Sequence, residues 1–308
     1  MSSVVYVVRT ISWLGKPFLC RREAMETIVE EKSPVRLSSA RSRELGEELR
    51  RVRHRAQMSS PFVCEALGWS LGKLSKLETG SRGTSAWEIG TLLGRCGADK
   101  ATRERVMAIA NEPDTGSFLR LHGGVPDSLL ALSLHEQMAL TVAAYEPLTI
   151  PSLAQTEEYA RALGGDEAVV EARLSRQDVL RRPGGPEVVL YVHEAALRLV
   201  VGGRQVMREQ MLRLTAMHGR ERTRPRLVPF SAVADAALRG PAGLLTFAAP
   251  VRPVVYVETD AATVFHDDPR VVALCKAKMR QVERVALSVE QSREVFARWA
   301  EVYDRKGC

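Results

Sequence analysis

No apolar run in the 308-residue sequence reaches the roughly 18 residues a helix needs to cross a bilayer, so a membrane-spanning protein is not expected. Cysteine is scarce. Cys20, Cys64, Cys96, Cys275 and Cys308 are odd in number, widely spaced and form no CxxC pair. That pattern argues against a disulfide framework and a zinc site, and it suits a reducing, cytoplasmic setting. The glycine pairs at 123, 164, 184 and 202 are followed by neither GK[ST] nor a GxGxxG frame, so no nucleotide loop is supported. His193-Glu194 does not continue into HExxH. No enzyme, catalytic residue or cofactor is therefore expected.

What the sequence does have is an uneven charge. Residues 1–112 hold 19 Lys/Arg against 13 Asp/Glu, a net of +6, while residues 113–308 hold 25 against 24, a net of +1. A basic surface concentrates polyanions, which brings in nucleic acid as a partner for the front of the chain. Alternatively, it is a solvated face with no partner.

Three segments are expected. Residues 1–38 read as a loosely ordered extension, broken by Arg9, Lys16 and Pro17, with Met25 a plausible translation start. Residues 39–112 read as five short helices, at about 42–56, 60–68, 71–79, 86–96 and 100–111, closed by the turn cluster NEPDTG. Residues 113–308 read as a mixed α/β domain, a small sheet covered by helices. In it, 126–144, 152–164, 166–182, 204–218, 269–286 and 289–303 look helical, and strands are expected at 186–192, 226–230, 243–248, 253–259 and 262–266.

The third helix carries the functional argument. Ser70 caps it and Gly80 stops it. On a helical wheel Leu74 and Leu77 share one face, with Leu71 and Glu78 at its edges. Gly72, Ser75, Lys76 and Thr79 lie opposite, and Lys73 on the flank. So short a helix is unstable alone and must be propped by its neighbours, leaving the polar face free. With the preceding helix and the Gly68-Trp69 turn this is a helix-turn-helix, whose second helix fits a DNA major groove. The plain alternative is a helical hairpin with a solvated face. Gly72 costs about 1 kcal/mol relative to alanine within a helix. It either admits DNA close to the backbone or is simply tolerated in an exposed first turn.

The run VCEALGWSLGKLSKLETGSRG (63–83) resembles the Xre-type, lambda-repressor-like helix-turn-helix regulators of actinobacteria. AAYEPLTIPSLAQTEEYARAL (143–163), HEAALRLVVGG (193–203), VVYVET (254–259) and ALSVEQSREVFARW (286–299) resemble the uncharacterised domain that follows this motif in many of them. The resemblance implies that Ser70, Leu71, Gly72, Lys73, Ser75 and Lys76 face DNA; polar or small capping residues are usual where Leu71 and Gly72 stand. It also implies a small acidic protein as a possible partner.

Taken with that resemblance, Ser70 and the helix start would hold a phosphate, Ser75 and Lys76 would reach base edges, and Lys73 and Arg82 would hold the backbone. A homodimer would read half-sites roughly 34 Å apart. Two other functions stay open: an antitoxin-like protein that binds a small partner and autoregulates, and a metal- or ligand-dependent enzyme or sensor tethered to DNA. The lead for the latter is Glu258, Asp260, His266, Asp267 and Asp268, of which Asp267-Asp268-Pro269 also reads as a helix cap. The basic run 218–226 either flanks the DNA or is a solvated loop.

Overall fold

The computed structural model describes residues 38–81, 83–122, 130–164, 167–232 and 238–305. The expected extension at 1–38 lies, apart from Ser38, outside them.

The described chain opens with α1 (Ala40–Arg55), α2 (Ser60–Leu67), α3 (Leu71–Glu78), α4 (Ala86–Arg95) and α5 (Lys100–Asn111). Each begins at a side-chain cap: Ser39, Ser59, Ser70, Ser85 and Asp99 accept from backbone N–H groups of the first turn. Such a cap contributes about 1 kcal/mol, and helices of two or three turns depend on it. Leu49, Val63, Leu74, Leu77, Ile89, Leu92, Leu93 and Val106 meet in one buried cluster.

α3 is fixed to α1 by close approach and by charge. A Cβ on Gly80 would stand 2.2 Å from the Ser42 carbonyl oxygen, and one on Gly46 would stand 2.6 Å from the Glu78 carbonyl oxygen. Gly80 also has φ +65°, so it both ends α3 and lets α1 pass. Arg53 on α1 donates through Nε and Nη2 to the two Glu78 carboxylate oxygens at 2.6 and 2.9 Å, and through Nη1 to the Met58 carbonyl at 2.9 Å. One buried guanidinium thus joins α1, the turn before α2, and α3.

Beyond α5 the chain builds a sheet. β1 (Ser117–Leu121), β2 (Thr141–Glu146), β3 (Glu187–His193), β4 (Thr223–Val228), β5 (Ala242–Thr246), β6 (Val254–Glu258) and β7 (Ala262–His266) lie in the order β1-β7-β6-β5-β2-β3-β4. The β2–β3 and β3–β4 pairs are parallel and the rest antiparallel. The connecting helices are α6 (Leu130–Met138), α7 (Glu157–Ala162), α8 (Glu167–Arg176), α9 (Glu194–Arg198), α10 (Arg204–Met217), α11 (Pro269–Val285) and α12 (Val289–Asp304). Alternation along the strands sorts side chains between two cores. Val142 and Ala144 of β2, with Val188, Leu190 and Val192 of β3, join Met207, Met211, Leu214 and Phe296 from α10 and α12. Tyr145 and Tyr191 point the other way, to Val272, Met279 and Val282 of α11.

The mixed sheet covered by helices is as expected, with three local corrections. The helix expected over 126–144 is α6 followed by the central strand β2. β1 and α9 stand where no element is expected. β4 begins at Thr223, so the basic run 218–226 ends in a strand rather than a loop. Arg226 there donates to the carbonyls of Leu287 and Ala286, and Arg222 to that of Gly185.

The helical head meets the sheet through the start of α1. The Ala40 N–H donates to Asp267 Oδ2 at 2.6 Å, just past β7. Arg120 of β1 donates to both carboxylate oxygens of Glu44, and to Glu112 at 2.9 and 3.1 Å. Burial raises the Glu44 carboxyl above its ordinary range, and Arg120 opposes that rise.

Candidate nucleic-acid interface

The turn between α2 and α3 is Gly68, in the left-handed conformation at φ +62°, then Trp69. The Trp69 N–H donates to the Cys64 carbonyl at 2.8 Å and its ring is buried, so the turn is pinned to the head's core. Ser70 Oγ accepts from the Lys73 N–H at 3.1 Å and starts α3. Gly68-Trp69-Ser70-Leu71-Gly72 also spells GxSxG. A nucleophile elbow, however, turns from a strand into a helix. Here two helices meet, and the serine is a cap.

Exposure along α3 follows the wheel. Leu74 and Leu77 are buried, whereas Ser70, Leu71, Gly72, Ser75, Lys76 and Thr79 are exposed. Leu71 is 56% exposed, an apolar side chain with no core to enter. A Cβ on Gly72 would meet nothing within 4 Å, so no packing inside the protein requires a glycine there. The N–H groups of Leu71 and Gly72 lack intrahelical partners, and the missing side chain at Gly72 leaves them uncovered.

The cations divide. Lys76 has no acidic partner within ion-pair distance among the described residues, and its backbone carbonyl accepts the Ser81 N–H that ends the helix. Lys73 is held: its Nζ lies 2.9 Å from Glu88 Oε1 and 4.3 Å from the centroid of the Trp69 ring. It bridges α3 to the start of α4, where Glu88 also closes the capping box with Ser85. Arg82 lies outside the described residues.

Two exposed aromatics on the neighbouring helices were not expected from sequence. Trp87 on the first turn of α4 is 70% exposed, and Phe62 on α2 stacks under the Arg95 guanidinium at 5.0 Å. An apolar residue in the first turn of a capped helix can serve core or surface equally, so no pattern marks them.

Three acidic residues of the run 257–268 have structural partners. Glu258 accepts from Arg176 at 2.8 Å and from Ser152 at 3.1 Å. Asp267 accepts from Ala40, and Asp268 caps α11. Among the described residues no group of three or more His, Cys, Asp or Glu could hold a metal ion. No helix there is long and apolar enough to cross a membrane.

Residues 44–106 match a family model described as a helix-turn-helix domain, and residues 129–298 match one described as a domain of unknown function, DUF5753. No curated protein matches the sequence. Among solved structures, TrmBL2, an archaeal chromatin protein whose structure shows a novel mode of DNA binding, aligns at 15% identity with a TM-score of 0.30. That alignment spans 65% of this chain and 66% of TrmBL2, just under two thirds, and it is too loose to bear on the fold.

Proposed function

The chain belongs to the DUF5753 family and carries a helix-turn-helix ahead of that domain, and on that premise we propose that it is a sequence-specific DNA-binding transcriptional regulator. One observation carries the proposal: Gly72, Ser75 and Lys76 lie exposed on one face of a helix whose other face is locked into the head. α3 enters the major groove along that face. Ser75 and Lys76 reach base edges, Leu71 packs on a thymine methyl or sugar, and the uncovered N–H groups at Ser70–Gly72 take a phosphate. Lys73 contributes charge beside Glu88 and chiefly orients α4, and Arg82 follows the backbone. This is the arrangement of Xre-type, lambda-repressor-like regulators.

The protein acts without catalysis, in the cytoplasm, as a homodimer reading half-sites roughly 34 Å apart. The sheet domain supplies dimerisation and sensing, and a small acidic protein is a candidate partner. The test is the salt dependence of binding to a selected duplex. If Lys76 reads guanine, Lys76→Ala weakens specific binding by about 1–3 kcal/mol. If it meets phosphate, affinity falls for every sequence and the salt slope drops by about one unit. Binding unchanged in both respects removes Lys76 from the interface.

A further inference from the structure

β2 and β6 each run antiparallel to β5 between them, so they share a direction and end at the same edge of the sheet. Their last residues are Glu146 and Glu258. Both line an open cavity of about 510 Å³ at that edge, walled on its apolar side by Leu148, Leu163 and Val169. The two carboxylates differ. Glu258 is held by Arg176 and Ser152, and Arg176 is shared with the fully buried Glu136. Glu146 has no hydrogen-bond or ion-pair partner among the described residues; its nearest compensation is Lys278, whose Nζ donates to the Gly240 carbonyl.

A second, independent feature marks the same cavity. Gln155 lines it and is 5% exposed. Its amide nitrogen donates to the Ile150 carbonyl at 2.7 Å, which fixes the orientation of the amide, and its Oε1 has no partner. A buried acceptor without a donor costs about 1–3 kcal/mol, which a donor reaching it from the cavity would recover. Around and beneath the cavity stand Glu136, Glu146, Glu258 and Asp260 against Arg173, Arg176 and Lys278, so the charges balance while Glu146 keeps its proton and leave one negative charge over once it is lost.

We propose that this cavity binds a small organic cation, an ammonium or amidinium on an apolar body. Glu146 takes the charge, Gln155 Oε1 accepts a second hydrogen bond, and the apolar body lies along Leu148, Leu163 and Val169. Arg173, whose buried Nε also lacks a partner, is left for a neutral acceptor on the far end of the molecule. Burial, then the nearby Glu258, pushes the Glu146 carboxyl up to about 8, so seating a cation there at neutral pH expels a proton. The inference deepens the sensing role offered for the sheet domain and does not depend on DNA contact by the head.

The experiment is calorimetry and thermal shift on the full chain without DNA. The probes are primary amines (phenethylamine, hexylamine, agmatine), matched carboxylates (3-phenylpropionate, hexanoate) and neutral 3-phenylpropanol. At least one amine should bind and raise the melting temperature. Its binding at pH 7 should release a proton, seen as a heat that varies with buffer ionisation enthalpy. Glu146→Gln should fold at least as stably as the parent, lose tenfold or more in amine affinity and abolish the proton release. Carboxylate or alcohol binding as tight as amine binding, undiminished amine affinity in Glu146→Gln, or no amine bound at millimolar concentration overturns the proposal.

Discussion

Single residues decide how the reading helix is presented. Gly72 has empty space around its missing side chain, so Gly72→Ala should raise stability to denaturant by about 0.5–1 kcal/mol. The same methyl stands where DNA would approach, so affinity for a selected duplex should fall; a variant that gains stability and keeps full affinity would mean the glycine is merely tolerated. His135 of α6 tests the junction between head and sheet. Its ring is buried, with Nδ1 2.6 Å from the Ala131 carbonyl oxygen and Nε2 unpartnered, beside Phe247 and Phe265. Burial, then the Arg43 charge, lowers it to about 4. The unfolded chain therefore takes up the proton first. The stability from a neutral ring is complete above about 6.5 and erodes as pH falls toward 4. Urea melts between pH 4 and 7 should show this loss, and His135→Leu should flatten it; an equal slope in both proteins would exclude His135 as its source.

Among the elements, α3 depends on neighbours it could not do without. Arg53→Met leaves Glu78 buried and alone, so it should destabilise the head by about 3–5 kcal/mol, read as an earlier denaturation midpoint. If that substitution costs under 1 kcal/mol, the pair does not hold α3 in place. Among the head helices α3 was the most legible, because cap, apolar stripe and stop agree there. β2 was not legible. Thr-Val-Ala-Ala-Tyr-Glu is one-third alanine and lies between β3 and β5 with both faces covered, so it lacks the alternation that marks a half-exposed strand. β1 lies at the sheet edge and buries none of its residues fully, so Ser-Phe-Leu-Arg-Leu shows no apolar face. In the interface, the outward set on α3 was readable from the wheel. The tie from Lys73 to Glu88 was not, because it spans two helices and the loop between them. The same holds for the cavity under Glu146, which exists only once β2 and β6 are brought to one edge.

At the scale of the molecule, head and sheet are joined by charge and backbone contacts at one end of α1: Ala40 to Asp267, and Glu44 and Glu112 to Arg120. Arg120→Leu removes the cation these carboxylates share and strands Glu44 in a buried site. It should lower stability more at pH 8 than at pH 5, because Glu44 without its partner can be buried cheaply only when protonated. A loss independent of pH would show that Arg120 acts through packing alone. The central claim is that the exposed face of α3 reads duplex DNA. It is tested most directly by selecting bound sites from a random duplex pool with the full protein, then measuring affinity for the selected site and a scrambled one with the parent and Ser75→Glu. The parent should prefer the selected site, and Ser75→Glu should lose that preference while keeping the parent's fold and melting temperature. A folded Ser75→Glu that binds the selected site as tightly as the parent would contradict the account.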